Sequence, residues 1–172
     1  MVGRSAAQMA VGLGAEVVVL DRNIDVLRAL DAQFGNKVKA IYSTADALEK
    51  HVLEADLVIG GVLIPGAAAP KLVTAEHIKA MKPGAAIVDV AIDQGGCIAT
   101  SKATTHADPT FIVDEVVHYC VANMPASPLI NAITKVTPHS WWPLIKETEK
   151  PWGFYSIRVP MHACKTNVGT PL

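Results

Sequence analysis

Ile87-Val88-Asp89-Val90-Ala91-Ile92-Asp93-Gln94-Gly95-Gly96 opens as a short apolar run and closes on two acids and two glycines. The apolar run begins at Ala85, directly after the turn Lys82-Pro83-Gly84. A run this short and β-branched, entered from a turn, predicts a buried strand. Ligands of open α/β sheets bind beyond the carboxyl ends of such strands. Asp93 falls where the strand opens into its loop, and Gly95 and Gly96 would let the backbone approach a flat ligand closely. Asp-x-Gly-Gly alone fits a plain turn better than a ligand site, because Asp and Gly are ordinary turn residues. The flanking sequence has to separate the two readings.

Working outward, strands and helices alternate. Gly3 to Leu13 reads as a small-residue helix, with Ala6, Ala7 and Ala10 suited to close packing and Gly14 as its C-cap. Glu16 to Asp21 is a strand ending in an acid, and Ile24 to Phe34 is a helix with Leu27, Leu30 and Phe34 on one face. Lys37 to Tyr42 reads as an edge strand, and Ser43 and Thr44 cap a helix reaching about Glu54. Asp56 to Val62 is a buried strand followed by the loop Leu63-Ile64-Pro65-Gly66; Thr74 to Met81 is a short helix; Val116 to Val121 is a last strand. This alternation predicts a parallel, doubly wound sheet.

Asp21 stands 18 residues beyond Gly3. That is close to the spacing of about 20 between the glycine turn of a dinucleotide fold and its ribose-binding acid. Asp21 also suits the start of the next helix, together with Asn23 and Asp25, and one loop can serve both roles. Gly3 resembles the last glycine of a Gly-x-Gly-x-x-Gly turn, so the first strand and the first two glycines are missing from this reading. The strand before Gly3 should be the central one, and without it two neighbouring strands keep unpaired edges.

The composition narrows the function classes. The chain has 172 residues, 51% hydrophobic and 18% charged, with a net charge of -1. That balance speaks against nucleic acid as the main partner. Cys97, Cys120 and Cys164 lack metal-ligand spacing, and their scatter predicts a reducing compartment without disulfides. The uncharged run Leu57 to Pro70 is too short and too broken by Pro65, Gly66 and Pro70 to span a bilayer. These features predict a cytoplasmic, soluble protein with no membrane partner. From Pro128 the character changes. Residues 128–172 hold all three tryptophans, six of the eleven prolines, and five basic against two acidic residues. Pro138, Pro143, Pro151 and Pro160 punctuate this tail. It reads as irregular, with one short helix near Leu144 to Glu149.

An ordered set of segments resembles the NAD-binding domain of the alanine dehydrogenases, from Val2 to about Ser127. It comprises Gly14-Ala15, Val19-Leu20-Asp21, Ala55 to Gly60, Val62 to Gly66, Ala69 to Val73, Met81 to Gly84, Val88 to Gly96 and Tyr119 to Pro125. The resemblance implies an α/β, Rossmann-like doubly wound sheet over residues 1–127, incomplete at its first strand, and a non-family tail over 128–172. It implies NAD as cofactor, with Gly3 in the pyrophosphate turn, Asp21 on the adenosine ribose and Ser43 lining the adenine pocket. Val62 and Leu63 would pack near the cofactor, and Val90, Asp93, Asn123 and Met124 would surround the nicotinamide. Asp93 would be the catalytic carboxylate, stabilising a cationic amine or imine or moving protons.

The implied reaction is oxidative deamination of L-alanine to pyruvate and ammonia by a homo-oligomer, a hexamer in the family. The family draws a lysine and a histidine from a separate N-terminal substrate domain. This chain therefore reads as a fragment, inactive alone and weak in NAD binding. The nearest alternative is the NAD-binding subunit of proton-translocating transhydrogenase, and a catalytically inactive remnant is a third. Ile92-Asp93-Gln94 and Ala122-Asn123-Met124-Pro125 favour alanine dehydrogenase over transhydrogenase.

Overall fold

The computed structural model describes residues 2–62, 68–122 and the backbone of 154–158. Helix α1 (Val2–Gly12) leads through Gly14, whose φ of 78° uses the left-handed region, into strand β1 (Glu16–Asp21). Asn23 caps α2 (Ile24–Phe34), its side chain accepting from the amides of Asp25 and Val26. Strand β2 (Val38–Tyr42) follows, then α3 (Ala45–Glu54), capped by Thr44, and β3 (Leu57–Gly60). Helix α4 (Ala75–Ala80) has a reciprocal Thr74–His77 cap and precedes β4 (Ala86–Asp89) and the 3-10 turn Val90–Gln94. The remaining strands are β5 (Thr110–Val113), β6 (Val116–Tyr119) and β7 (Phe154–Arg158).

Among the described residues seven strands form one sheet in the order β2-β1-β7-β3-β4-β6-β5. Strand β1 runs parallel to β2, β3 to β4, and β4 to β6. Both faces are buried, as a sheet wound on two sides requires. Alternate residues divide between two cores. Val17, Val19, Leu57, Ile59, Ala86 and Val88 join Ala6, Ala7, Ala10 and Leu30 on one face. Val18, Leu20, Val58 and Ile87 join Leu48, Val52, Ile78 and Met81 on the other. The small side chains of α1 let it lie close on the sheet, as its alanine spacing implies.

Two features differ from the sequence expectation. The slot between β1 and β3, whose facing edges the sequence reading leaves unpaired, is filled. Strand β7 lies there antiparallel, pairing Glu16–Leu20 on one side and Leu57–Gly60 on the other. The reading of the tail as irregular is thus corrected for residues 154–158. A strand of five residues fits between Pro151 and Pro160, and pairing on both edges outweighs the local proline punctuation. The short helix expected near Leu144 to Glu149 lies outside the described residues. The second addition is β5, which forms an antiparallel hairpin with β6 through Asp114 and Glu115. Both turn residues have positive φ, 48° and 63°.

A buried carboxylate anchors the segment that carries Asp93. Asp89 ends β4 with 0% exposure. Its Oδ1 accepts from the Ala91 amide at 3.1 Å, and its Oδ2 accepts from the Cys97 amide at 3.0 Å and the Ile98 amide at 3.3 Å. Cys97 Sγ donates to Oδ1 at 3.4 Å. The turn Val90–Gln94 is therefore clamped at both ends by one side chain. Gly96 is required here for an internal reason. Its φ is 74°, and a Cβ would stand 2.8 Å from Asp89 Oδ2. Gly60 is equally constrained, since a Cβ there would meet Cys97 Sγ at 2.3 Å.

His118 is buried on β6, the packed strand residue its position predicts. Nδ1 lies 2.9 Å from the Val116 carbonyl, which can only accept, so Nδ1 carries the proton. Nε2 then accepts from the Thr100 hydroxyl at 2.8 Å, and the neutral ring stacks on Phe111. Burial pulls its pKa below the ordinary 6.5.

Two predictions arise from this packing. Asp89→Ala strands several buried amides and should lower stability by about 3 kcal/mol or more, since hydrogen bonds to a charged group contribute about 1.5–3 kcal/mol each. Urea unfolding checks this, and a loss below about 1 kcal/mol would contradict the anchoring role. For His118 the unfolded chain takes up a proton near the ordinary pKa while the folded chain resists it. Stability therefore rises with pH through that region and falls as pH drops below 6.5. Unfolding at pH 5.5 and 7.5 should show a smaller difference in His118→Gln than in the natural chain; equal differences would count against it.

Candidate functional site

Strands β1, β2, β3, β4 and β6 point their carboxyl ends to one edge of the sheet, because β7 pairs antiparallel with both β1 and β3. Phe154 stands opposite Leu20 in one register and Gly60 in the other, which sets the ends of β1 and β3 level. Asp21 closes β1 and Ser43 directly follows β2, with the Ser43 amide donating to the Asp21 carbonyl at 3.0 Å. Val62 lies just past β3, and Val90 and Asp93 sit in the turn after β4. Helix α1 packs back along β1, so its first turn, with the buried Gly3, belongs to this edge as well. The structure thus brings Gly3, Asp21, Ser43, Val62, Val90 and Asp93 to one edge. Leu63, Asn123 and Met124 lie outside the described residues.

Two acceptors at this edge are buried and unsatisfied. Asp21 is 8% exposed, and its Oδ1 accepts from the Asn23 amide at 2.7 Å. Its Oδ2 has no hydrogen-bond partner among the described residues, and neither has Gln94 Oε1. A buried acceptor left unpaired costs about 1–3 kcal/mol. Both atoms could accept from a ligand that brings hydroxyl or amide donors. Asp21 fits vicinal ribose hydroxyls, the role its spacing from Gly3 predicts. Asp93 itself is exposed, at the lip of the edge.

The loop that presents Asp93 is laced to the segment before α4. The Ala69 amide donates to the Gln94 carbonyl at 2.9 Å and the Leu72 amide to the Cys97 carbonyl at 2.8 Å. Lys71 Nζ donates to the carbonyls of Gly95 and Ile98. Asp89 and Lys71 are the residues that sequence reasoning passes over. The available signal is a single carboxylate inside an apolar strand, four residues before Asp93. Cys97 is excluded as a nucleophile: burial, and then the Asp89 charge, raise its pKa far above the ordinary thiol value. Burial raises that of Cys120 as well. Among the described residues no cluster of His, Cys, Asp and Glu could hold a metal, and no helix is long and apolar enough to cross a membrane.

Comparison with known proteins agrees with this geometry. The model of the family "Alanine dehydrogenase/PNT, C-terminal domain" matches residues 1–154, running on past Ser127. A curated alanine dehydrogenase of Halomonas elongata is 62% identical over 127 residues, covering 74% of this chain and 34% of the relative. A solved L-alanine dehydrogenase superposes with a TM-score of 0.70 at 48% identity, over 78% of this chain and 37% of that one. A transhydrogenase from Sinorhizobium meliloti superposes less well, with a TM-score of 0.61 at 30% identity over the same shares. This chain spans about a third of the length of the relatives it matches. The sheet order, the shared carboxyl edge and these matches together establish that the chain belongs to the alanine dehydrogenase/PNT C-terminal domain family.

Proposed function

We propose that this chain is the NAD-binding part of an L-alanine dehydrogenase. The observation that carries the reading is Asp21 Oδ2, a buried carboxylate oxygen without a partner among the described residues, at the carboxyl edge of the sheet. On this reading Asp21 accepts from the adenosine ribose hydroxyls. Its negative charge also disfavours a 2′-phosphate, which selects NAD over NADP. Ser43 lines the adenine side. Gly3, in the first turn of α1, leaves room for the pyrophosphate near a helix N-terminus. Val62, Leu63 and Val90 supply apolar contacts, and Asn123 and Met124 complete the nicotinamide surroundings.

NAD, when bound, supplies the hydride acceptor for the α-carbon of L-alanine. Asp93 stabilises the positive charge on the substrate nitrogen as it becomes an imine, and takes up or returns the proton that moves when water converts the imine to pyruvate and ammonia. The clamp by Asp89 holds the Asp93 turn rigid, which keeps the carboxylate in place without reorganisation. The weaker likeness to the transhydrogenase, and the Ile92-Asp93-Gln94 sequence, weigh toward alanine as substrate. The reading includes a cytoplasmic location, in keeping with the free, buried thiols of Cys97 and Cys120, and the homo-oligomeric state of the parent family.

Calorimetric titration tests the cofactor assignment. NAD should bind at least about tenfold more tightly than NADP, and Asp21→Asn should cost about 1–3 kcal/mol of NAD affinity. Equal affinity for both cofactors, or an unaffected variant, would refute the role of Asp21. Catalysis is tested by exchanging residues 2–127 into the Halomonas elongata relative in place of the matching segment. The chimera should form NADH from L-alanine and NAD. Asp93→Asn in it should lower kcat by about a hundredfold or more, the scale of a lost acid-base group, while NAD affinity holds. Full activity in that variant would remove Asp93 from the mechanism.

A further inference from the structure

The turn Val90–Gln94 sends its side chains in two directions. In a 3-10 turn, residues three apart fall on one side. Asp93 follows Val90 and stands exposed at the lip of the carboxyl edge. Gln94 follows Ala91, which packs into the core beneath the turn at 6% exposure. Gln94 Oε1 is accordingly buried, and it has no hydrogen-bond partner among the described residues. The backbone around it is fixed. The Gln94 carbonyl accepts from the Ala69 amide at 2.9 Å, the Gly96 amide donates to the Ala91 carbonyl at 2.9 Å, and Asp89 holds both ends of the turn.

Packing alone does not account for a glutamine in that place. Buried polar atoms are nearly always hydrogen-bonded. An apolar side chain of the same length, such as methionine, would fill the space without an orphaned acceptor. The atom suits an uncharged N–H donor, since a cationic amine is drawn instead to the neighbouring Asp93 carboxylate. The strand order says which end of a bound dinucleotide lies near. Strand β4 stands three places from β1 in the sheet, about 14 Å at about 4.8 Å per strand. With the adenosine ribose on Asp21 at the end of β1, the group that reaches the end of β4 is the nicotinamide. Its carboxamide offers an uncharged N–H2, and its carbonyl can accept from the Gln94 amide in return.

We propose that Gln94 is a cofactor-binding residue whose Oε1 accepts a hydrogen bond from the carboxamide N–H2 of the nicotinamide. The inference rests on the reading of this edge as an NAD site and adds to it the contact that sets which way the nicotinamide ring faces. On that reading two consecutive residues divide the work: Asp93 serves the substrate, and Gln94 orients the ring that receives the hydride.

Calorimetric titration of the full chain with NAD and with 3-acetylpyridine adenine dinucleotide tests this. The analogue keeps the carbonyl on the ring, both riboses, the pyrophosphate and the adenine, and carries a methyl group where NAD carries the N–H2. The natural chain should bind NAD about tenfold more tightly than the analogue, because the methyl group leaves Oε1 unpaired. Gln94→Met should abolish that preference by weakening NAD about tenfold. Asp21→Asn should instead weaken both dinucleotides alike. Urea unfolding without dinucleotide should show Gln94→Met at least as stable as the natural chain, because the substitution deletes an unpaired buried acceptor. Equal affinity of the natural chain for both dinucleotides, or a Gln94→Met chain that keeps the preference, would overturn the proposal. A Gln94→Met chain that is destabilised or fails to fold would overturn it as well, since the glutamine would then be serving the packing. Weakening by Asp21→Asn with no effect of Gln94→Met removes this contact and leaves the NAD site standing. No binding of NAD at all removes the site and the contact together.

Discussion

Two buried strands that must share one neighbour set the terms for this molecule. Strands β1 and β3 form the middle of the sheet, and neither can leave the backbone groups of its inner edge unpaired. Strand β7 satisfies both and, by pairing Phe154 with Leu20 and with Gly60, holds their carboxyl ends at one level. That levelling gives the site its shape. Asp21, Ser43, Val62, Val90 and Asp93 each follow from the place where a strand stops, so their convergence is a property of the sheet and not of any loop. The family's position at such an edge is consistent with ligand binding beyond the strand ends of open α/β sheets.

Within that edge the acids divide their work by environment. Asp89, buried in the strand, spends its oxygens on backbone amides and the Cys97 thiol. It fixes the course of the chain from Ala91 to Ile98, and its charge adds to burial in raising the pKa of Cys97. Asp21 spends one oxygen on the Asn23 amide and leaves the other without a partner among the described residues. Asp93, four residues past Asp89, is exposed at the lip of the edge. On the proposed reading the same residue type is an anchor, a ligand acceptor and a reactive group, according to how much of it is buried and what surrounds it.

Much of this was legible before any coordinates. Glu16–Asp21 and Ile24–Phe34 were bounded correctly because the apolar run, the Asn23 cap and the glycine stop agree with one another. The alternation of strands and helices led directly to the doubly wound sheet. Strand β5 escaped notice because its hairpin turn uses Asp114 and Glu115 at positive φ, where the usual signal is Asn-Gly or Asp-Gly. Strand β7 escaped for a different reason. Its placement depends on the facing edges of β1 and β3, far away in the sequence, and nothing local to a proline-rich tail records that. For Gly95 and Gly96 the sequence leaves a plain turn and a close approach to a ligand both open, and the partner that Gly96 approaches, Asp89, is visible only once the chain is folded.

The cofactor edge is tested most directly by titrating the 15N-labelled chain with NAD and following its amide resonances. The account predicts shifts concentrated at Asp21 to Asn23, Ser43, Val62 and Val90 to Gln94. Residues at the opposite edge, such as Asp56, Lys82 and Glu115, should stay still. An unmoved Asp21 region, or shifts centred on the amino edge, would contradict it.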